Sequence, residues 1–214
     1  MRALADIGIK TTREGTLEVD AERLDARLAD SLDEVAALFG TGGLVDGSGF
    51  AFESSRTETR AGRYAVAVTQ LAEQATVSGA AVAVPSEGAP AVIDADSDEI
   101  ELTVNGVATG RIALTQGSYT SGEALAAELQ ARINGAEALR DEGASVTVAW
   151  DATAGAFSIR TDRYGSEANV EVTFADTNTA GLFGLTVGQR DDGVDVAGTI
   201  GGIQAEGFGR FLTA

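Results

Sequence analysis

An acidic run over residues 94–99 has the residue types closest to a recognised chemistry. It contains alternating aspartates followed by Glu99, and such a pattern opens calcium loops in which carboxylate oxygens surround the cation. An EF-hand loop would also need a glycine at the position of Glu99 and a glutamate at that of Asn105. Because both are missing, we interpret the run as a solvated turn, with adventitious calcium binding as the alternative.

Two other segments could be assigned to ligands by their composition. Asp191-Asp192-Gly193 is a tight-turn tripeptide, and a metal site there is the weaker interpretation. The glycine-rich segment 40–49 superficially resembles a phosphate-binding loop, but no lysine follows it and no clear strand-to-helix context surrounds it. We therefore interpret this segment as a flexible connection.

Histidine and cysteine are both absent from the 214 residues. This composition removes the usual general base near neutral pH, the commonest metal ligand and every disulfide. Paired carboxylates could still hydrolyse glycosides, but such clefts need aromatic side chains to stack sugars, and the chain has one Trp and three Tyr. Trp150 falls at a core-facing position in an alternating strand. The sequence thus predicts that the protein is not an enzyme and that it binds no cofactor. It indicates no catalytic, metal-binding or cofactor-binding residue, and it does not identify the residues of an interface.

The formal net charge is −18, from 15 basic and 33 acidic residues. A surface with this charge repels nucleic-acid phosphates and anionic membranes, so we expect neither as a partner. There is no long apolar run for a transmembrane helix and no signal peptide with an apolar centre. We attribute the charge first to solubility, with a saline habitat or steering of a basic partner as alternatives.

The clearest structural pattern is a β-hairpin that leads directly into a helix over residues 99–133. Apolar residues alternate with polar ones on both sides of Asn105-Gly106, which suits a type I′ turn. Thr120 stands three residues before Glu123, as in a capping box. Apolar residues then recur every four positions on one helix face, which we expect to be buried: Leu125, Leu129 and Ile133.

Similar patterns predict the remaining elements. Asp20 is expected to cap a helix carrying Leu24 and Leu28, and a second helix should run from Ser31 to Phe39. Period-two alternation predicts strands at Tyr64 to Val68, Val146 to Trp150, Phe157 to Ile159, Val170 to Phe174, and 194–214. We expect the last of these segments to rejoin the sheet that begins near Tyr64. Phe208 and Phe211 fit either a core or a contact with a segment outside this sequence.

These elements predict an α+β fold built mainly from antiparallel β-sheet domains. We expect one domain, with a single packed helix, to be inserted into the other, and a short N-terminal helical segment to precede both. Pro85 and Pro90 suggest a crossing between domains. The predicted division is 1–43 for part of a helical stem, 44–84 with 186–214 for an outer β-domain, and 85–185 for the inserted domain.

Four blocks resemble the bacterial flagellar filament-capping family. Residues 104–135 resemble the hook "IN" motif of flagellins, with Ile133-Asn134 where that motif takes its name. The segments 4–40, 62–79 and 195–214 are similar to stretches of the capping family, including its L-x-D-I-G-I, T-Q-L-A and V-A-G-T-I patterns. Together the blocks cover about half of the chain.

The resemblance implies a structural protein of the extracellular flagellum that caps the growing filament and promotes flagellin insertion. Its partners would be flagellin and hook-junction proteins, and its export would use no cleaved signal peptide. The full-length protein would be a homo-oligomer, while this chain, interpreted as an outer-domain fragment, would be largely monomeric. The alternatives are a flagellin or hook-junction outer domain and a surface adhesin that binds glycans or host cells.

Overall fold

The computed structural model describes residues 4–32, 35, 38 and 43–214. The chain divides into two compact units, Met1–Gly62 and Arg63–Ala214. In the first unit a 3-10 helix at Leu4–Ile7 precedes strands β1 and β2 and helix α1, whose bounds are Ile9–Thr11, Leu17–Val19 and Ala21–Asp30.

Helix α1 begins where the sequence predicts, because the Asp20 side chain accepts a hydrogen bond from the Arg23 amide at 3.1 Å. Ile7 is fully buried, while α1 itself has no buried residue. Most of the helix predicted from Ser31 to Phe39, with Glu34 and Gly40, lies outside the described residues.

The second unit contains fourteen strands and three helices among the described residues. Its helices are α2 (Gly122–Gly135), α3 (Glu137–Asp141) and α4 (Thr179–Phe183). Strands β3 to β9 are Val66–Gln70, Thr76–Ser78, Ala91–Ile93, Glu99–Val104, Val107–Ala108, Ile112–Ala113 and Gly117–Tyr119. Strands β10 to β16 are Val146–Asp151, Ala156–Thr161, Asn169–Ala175, Arg190–Asp192, Ala197–Ile200, Ile203–Phe208 and Phe211–Thr213.

All strand pairs in this unit are antiparallel, which confirms the predicted fold class. The strands form four sheets, in the orders β10-β11-β4, β13-β12-β6-β7 with β8 also beside β6, β5-β9, and β16-β15-β14-β3. The sequence patterns suggest the order β-β-α-β-β-β on one sheet beneath the helix, but strands β8 and β9 and helix α3 also lie in this segment. The structure corrects this, since the strands around the helix belong to separate sheets.

The hydrophobic core lies around helix α2. Its three predicted apolar residues, Leu125, Leu129 and Ile133, are fully buried together with Phe157 and Phe183. The hairpin turn is also confirmed, because Asn105 and Gly106 have φ angles of 51° and 79°. The helix cap is one residue later than predicted, as Ser121 and not Thr120 accepts from the Ala124 amide, at 3.2 Å.

The sheet β16-β15-β14-β3, here called the terminal sheet, pairs the start of the second unit with the end of the chain. Ile200 lies opposite Val66 and Gly198 opposite Val68, which confirms that the last segment rejoins the sheet begun near Tyr64. The structure does not support the half-buried strand predicted there, since Tyr64 is 49% and Val66 is 45% exposed.

Candidate interaction surface

The acidic run at 94–99 forms a closed turn. The Asp94 amide donates to the Ser97 hydroxyl at 2.8 Å, and that hydroxyl lies 2.8 Å from the Asp94 carboxylate, to which it donates. Ser97 is buried. The carboxylate thus closes its own turn, and the described residues contain no group of three or more acidic side chains placed to hold a metal ion.

Asp191 and Asp192 lie in strand β13, so the predicted tight turn is wrong. The Asp191 carboxylate accepts from the Thr76 amide at 2.7 Å and ties β13 to β4. Asp192 pairs with Arg190 at 2.7 Å, and the hydrogen bond and charge of Asp192 raise the pKa of the Arg190 guanidinium. Both carboxylates have structural partners, Asp191 in a strand of the neighbouring sheet and Asp192 in its own strand.

A polar cluster joins the middle of helix α2 to the segment before the helix. The Glu128 carboxylate accepts from the Thr115 amide at 2.7 Å and from Arg132 at 2.8 Å. Partial burial opposes ionisation of Glu128, but these hydrogen bonds outweigh it and lower its pKa. Tyr119 donates to the Thr115 carbonyl at 2.8 Å. Burial, and then the charge of Glu128, raise the Tyr119 pKa.

Two amide side chains of helix α2 bind the backbone of strand β10. Asn134 accepts from the Val146 amide and donates to the Val146 carbonyl, both at 2.9 Å. One turn earlier, Gln130 accepts from the Val148 amide at 2.8 Å. Asn134 lies at the position that resembles the asparagine of the hook motif. The sequence shows no local signal for its bonding role, because its partner is supplied by another element.

Trp150 is partly buried and packs against the core. Its ring centroid lies 4.5 Å from that of Phe157 at an interplanar angle of 47°, and it also covers Gly122 at the start of helix α2. The interpretation of Trp150 as a sheet-core residue is confirmed.

The terminal sheet has one apolar face that is partly exposed to solvent. Residues paired across antiparallel strands project to the same side, so Val66, Ile200 and Ile203 share one face. Ile203 is 68% exposed and the other large side chains are partly exposed, while Ala205 on the same face is buried. We call this the open sheet face and define it by five side chains: Val66, Val68, Ile200, Ile203 and Leu212.

Charge is almost absent from the terminal sheet. Among its four strands only Glu206 is ionisable, and it projects to the opposite side, because it alternates with Ala205 and Gly207 along β15. Apolar composition with depleted charge is typical of the centre of a protein interface. The open sheet face is therefore the candidate functional surface of the second unit.

Phe208 and Phe211 lie opposite each other at the end of the β15–β16 hairpin, on the side away from the open sheet face. They are 58% and 56% exposed. The core interpretation of these two residues is therefore wrong. Their contact with a segment outside this sequence stays a prediction.

No helix among the described residues has the length and apolarity needed to cross a lipid bilayer. The described residues thus combine an α+β fold with a partly exposed apolar sheet face. The sequence model of one family, the flagellar hook-associated protein 2 C-terminus, matches residues 1–115. This match covers more than half of the chain. The chain belongs to that family.

Individual relatives agree with this family. A 39-residue segment is 51% identical to the A-type flagellar hook-associated protein 2 of Pseudomonas aeruginosa, and it covers 18% of this chain and 8% of that protein. The chain thus matches only a small part of that relative's length.

Three solved flagellar cap structures are also similar. The cap protein FliD from Bdellovibrio bacteriovorus is 12% identical with a TM-score of 0.44, over 70% of this chain and 78% of that one. The D2-D3 domains of FliD from Serratia marcescens are 17% identical with a TM-score of 0.42, over 72% and 80%. FliD from Pseudomonas aeruginosa PAO1 is 17% identical with a TM-score of 0.44, over 72% and 69%.

Proposed function

We propose that this chain is the outer part of a filament cap at the tip of the bacterial flagellum, where it promotes the insertion and polymerisation of flagellin. The family match over residues 1–115 carries this proposal. The role is structural and includes no catalytic step. A flagellin or hook-junction outer domain and a glycan-binding adhesin are the other two candidates from the sequence, and no structural observation favours either of them.

The proposed partners are flagellin and the hook-junction proteins, and the proposed location is the extracellular flagellum after export without a cleaved signal peptide. We also propose the domain division 1–43, 44–84 with 186–214, and 85–185. The pairing of β3 with β14 supports the nesting of one domain within the other, while β4 at Thr76–Ser78 already pairs with β11 of the inserted segment. Limited proteolysis with mass determination of the fragments would locate the boundaries.

Deletion of the intact gene in its host tests the proposed function. We expect short or absent filaments and unpolymerised flagellin in the medium, because subunits would leave the tip without being inserted. Re-introduction of the gene should restore filament length. Filaments of normal length with no flagellin lost from the deletion strain would contradict a capping role.

Self-association of the full-length protein is the second part of the proposal. Two copies of a chain with net charge −18 repel each other over most of their surfaces, so their close contact requires a region with little charge. The open sheet face is such a region. We propose that it contacts a second copy in the assembled cap, while the 214-residue chain alone is monomeric.

A matched pair of variants on strand β15 tests this contact. In the full-length protein Ile203→Asp places a charge on the open sheet face, and Gln204→Asp places the same charge on the opposite face, where Gln204 is also exposed. We expect Ile203→Asp to reduce the mass measured by light scattering and Gln204→Asp to leave it unchanged. Equal masses for both variants and the parent would exclude this face as the contact.

A further inference from the structure

The terminal sheet is connected to the rest of the second unit by two neighbouring chain segments. One follows β3 and the other precedes β14, and they meet at an isolated β-bridge between Glu73 and Val194. The Glu73 amide donates to the Val194 carbonyl at 2.8 Å, and the Val194 amide donates back at 3.1 Å. Two adjacent segments of this kind form a narrow connection about which a sheet can tilt.

Hydrophobic packing contributes little to the rigidity of this connection. No residue of the four strands of the terminal sheet belongs to the described hydrophobic core, which is built around helix α2. Substructures that share little apolar contact are expected to move relative to each other. The orientation of the terminal sheet must therefore be set by specific contacts near the bridge.

The Asp195 side chain makes such contacts on both sides. Its Oδ1 atom accepts from the Ser166 amide at 3.0 Å and from the Gly209 amide at 2.7 Å, and Oδ2 accepts from the Ser166 hydroxyl at 2.6 Å. Ser166 lies in the loop between β11 and β12, outside the terminal sheet. Gly209 lies in the turn between β15 and β16, within it. One carboxylate thus joins a loop of the core region to a turn of the terminal sheet.

The backbone packs closely around the Asp195 carboxylate. Gly165 and Gly209 both have positive φ, at 92° and 55°, and a Cβ atom at Gly165 would collide with Asp195 and with the Gly209 backbone. Beside them the Arg210 guanidinium lies 4.9 Å from the centre of the Tyr164 ring. This second contact also crosses between the loop and the turn.

We propose that Asp195 is a latch that fixes the orientation of the terminal sheet on the α+β core, and that the paired segments at Glu73 and Val194 act as a hinge when the latch is removed. The three hydrogen bonds favour the ionised carboxylate and hold the pKa of Asp195 below its ordinary value, as expected for a latch that is charged at neutral pH.

Distance measurement between two spin labels tests the latch in the complete 214-residue chain. The chain contains no cysteine, so Ala149→Cys on β10 and Gln204→Cys on β15 would be the only labelled sites, and both positions are exposed. We expect one narrow distance distribution in the parent. With Asp195→Ala it should become broad or bimodal, and the Gly209 amide should lose protection from hydrogen exchange.

Two further variants separate a latch from a general loss of stability. Asp192→Ala removes a nearby carboxylate that pairs with Arg190 inside its own strand, and it should leave the distribution narrow. Asp195→Asn keeps the acceptor oxygen and should broaden it less than Asp195→Ala. Trp150 lies in the core, so an unchanged near-ultraviolet signal would show that the core has stayed folded. A narrow distribution in a folded Asp195→Ala protein, or equal broadening in Asp192→Ala, would overturn the proposal.

Discussion

At Asp195, the balance between the charged and neutral carboxylate depends on three donated hydrogen bonds. They come from the Ser166 hydroxyl, the Ser166 amide and the Gly209 amide, and they lower the pKa. A carboxylate whose pKa is lower in the folded than in the unfolded chain stabilises the fold above its unfolded pKa of about 3.9. This contribution is lost as the pH falls through the lower, folded value.

We therefore predict that Asp195→Asn lowers the urea midpoint at pH 6, and that the difference from the parent decreases below about pH 4. Unfolding should be measured from pH 2.5 upwards for both proteins. Asp192→Asn serves as the control, because the Asp192 side chain pairs with Arg190 of the same strand. A difference that grows on acidification would contradict the assigned role.

The Asn134 amide should contribute measurably to stability. Asn134→Ala leaves the Val146 amide and carbonyl without their partners, and an unsatisfied backbone group costs about 1–3 kcal/mol. We expect the free energy of unfolding to fall by about this amount in denaturant titrations. Glu137→Ala, at an exposed position on the next helix, should change it little.

For single residues, a role that depends on neighbours in the sequence can be predicted. A role that depends on a partner from another element cannot. Asn105-Gly106 predicts its own turn, because both φ angles follow from the two residue types. Asn134 has no such pattern, since its role depends on where Val146 lies in the fold. The helix cap was displaced by one residue because Thr120 and Ser121 are both competent caps, and the backbone decides which one is used.

Helix α2 and strand β10 meet at a point where only glycine fits. A Cβ atom at Gly122 would enter the Trp150 ring, so Gly122→Ala must displace the indole or the helix. Such overpacking costs about 1–3 kcal/mol. We predict a lower free energy of unfolding by about that amount, with a change in the emission of Trp150, the single tryptophan of the chain.

Gly135, in the last turn of the same helix, provides the matched control. A Cβ atom there meets nothing within 4 Å, and Gly135→Ala should stabilise the protein by about 0.4–1 kcal/mol through a less flexible unfolded chain. Destabilisation by both substitutions to the same extent would show that glycine is needed for the helix backbone and not for contact with Trp150.

The elements themselves could mostly be predicted, and their grouping into sheets could not. Alternation and helical spacing are read within ten to fifteen residues, so the hairpin, helix α2 and strands β10 and β11 were found. Pairings such as that of β4 with β11 join segments far apart in the chain. Helix α3 was missed because its five residues include a single buried leucine, Leu139, which is too short a pattern to show a period.

Over the whole molecule the charge of −18 should make stability depend on salt. Like charges in the folded chain repel, and the Debye length falls from about 30 Å at 0.01 M to about 3 Å at 1 M ionic strength. We predict that the melting temperature rises with NaCl, by about 2–4 °C for each 1 kcal/mol gained.

The same titration near the calculated isoelectric point of 4.2 is the control. The net charge is close to zero there, so added NaCl should have little effect. KCl should act like NaCl, because screening depends on ionic strength and not on the cation. A melting temperature that is independent of salt at pH 7 would show that repulsion is not a significant cost in this fold.

The two amides of helix α2 also determine how this molecule can associate. Strand β10 is at the edge of its sheet, and an edge with unpaired backbone groups recruits strands from other chains. Here Asn134 already binds the amide and carbonyl of Val146, and Gln130 binds the amide of Val148. Helix α2 thus blocks cross-β extension at the first half of this edge, so an assembly of these chains can be ordered through side-chain contacts with less risk of fibril growth from this strand.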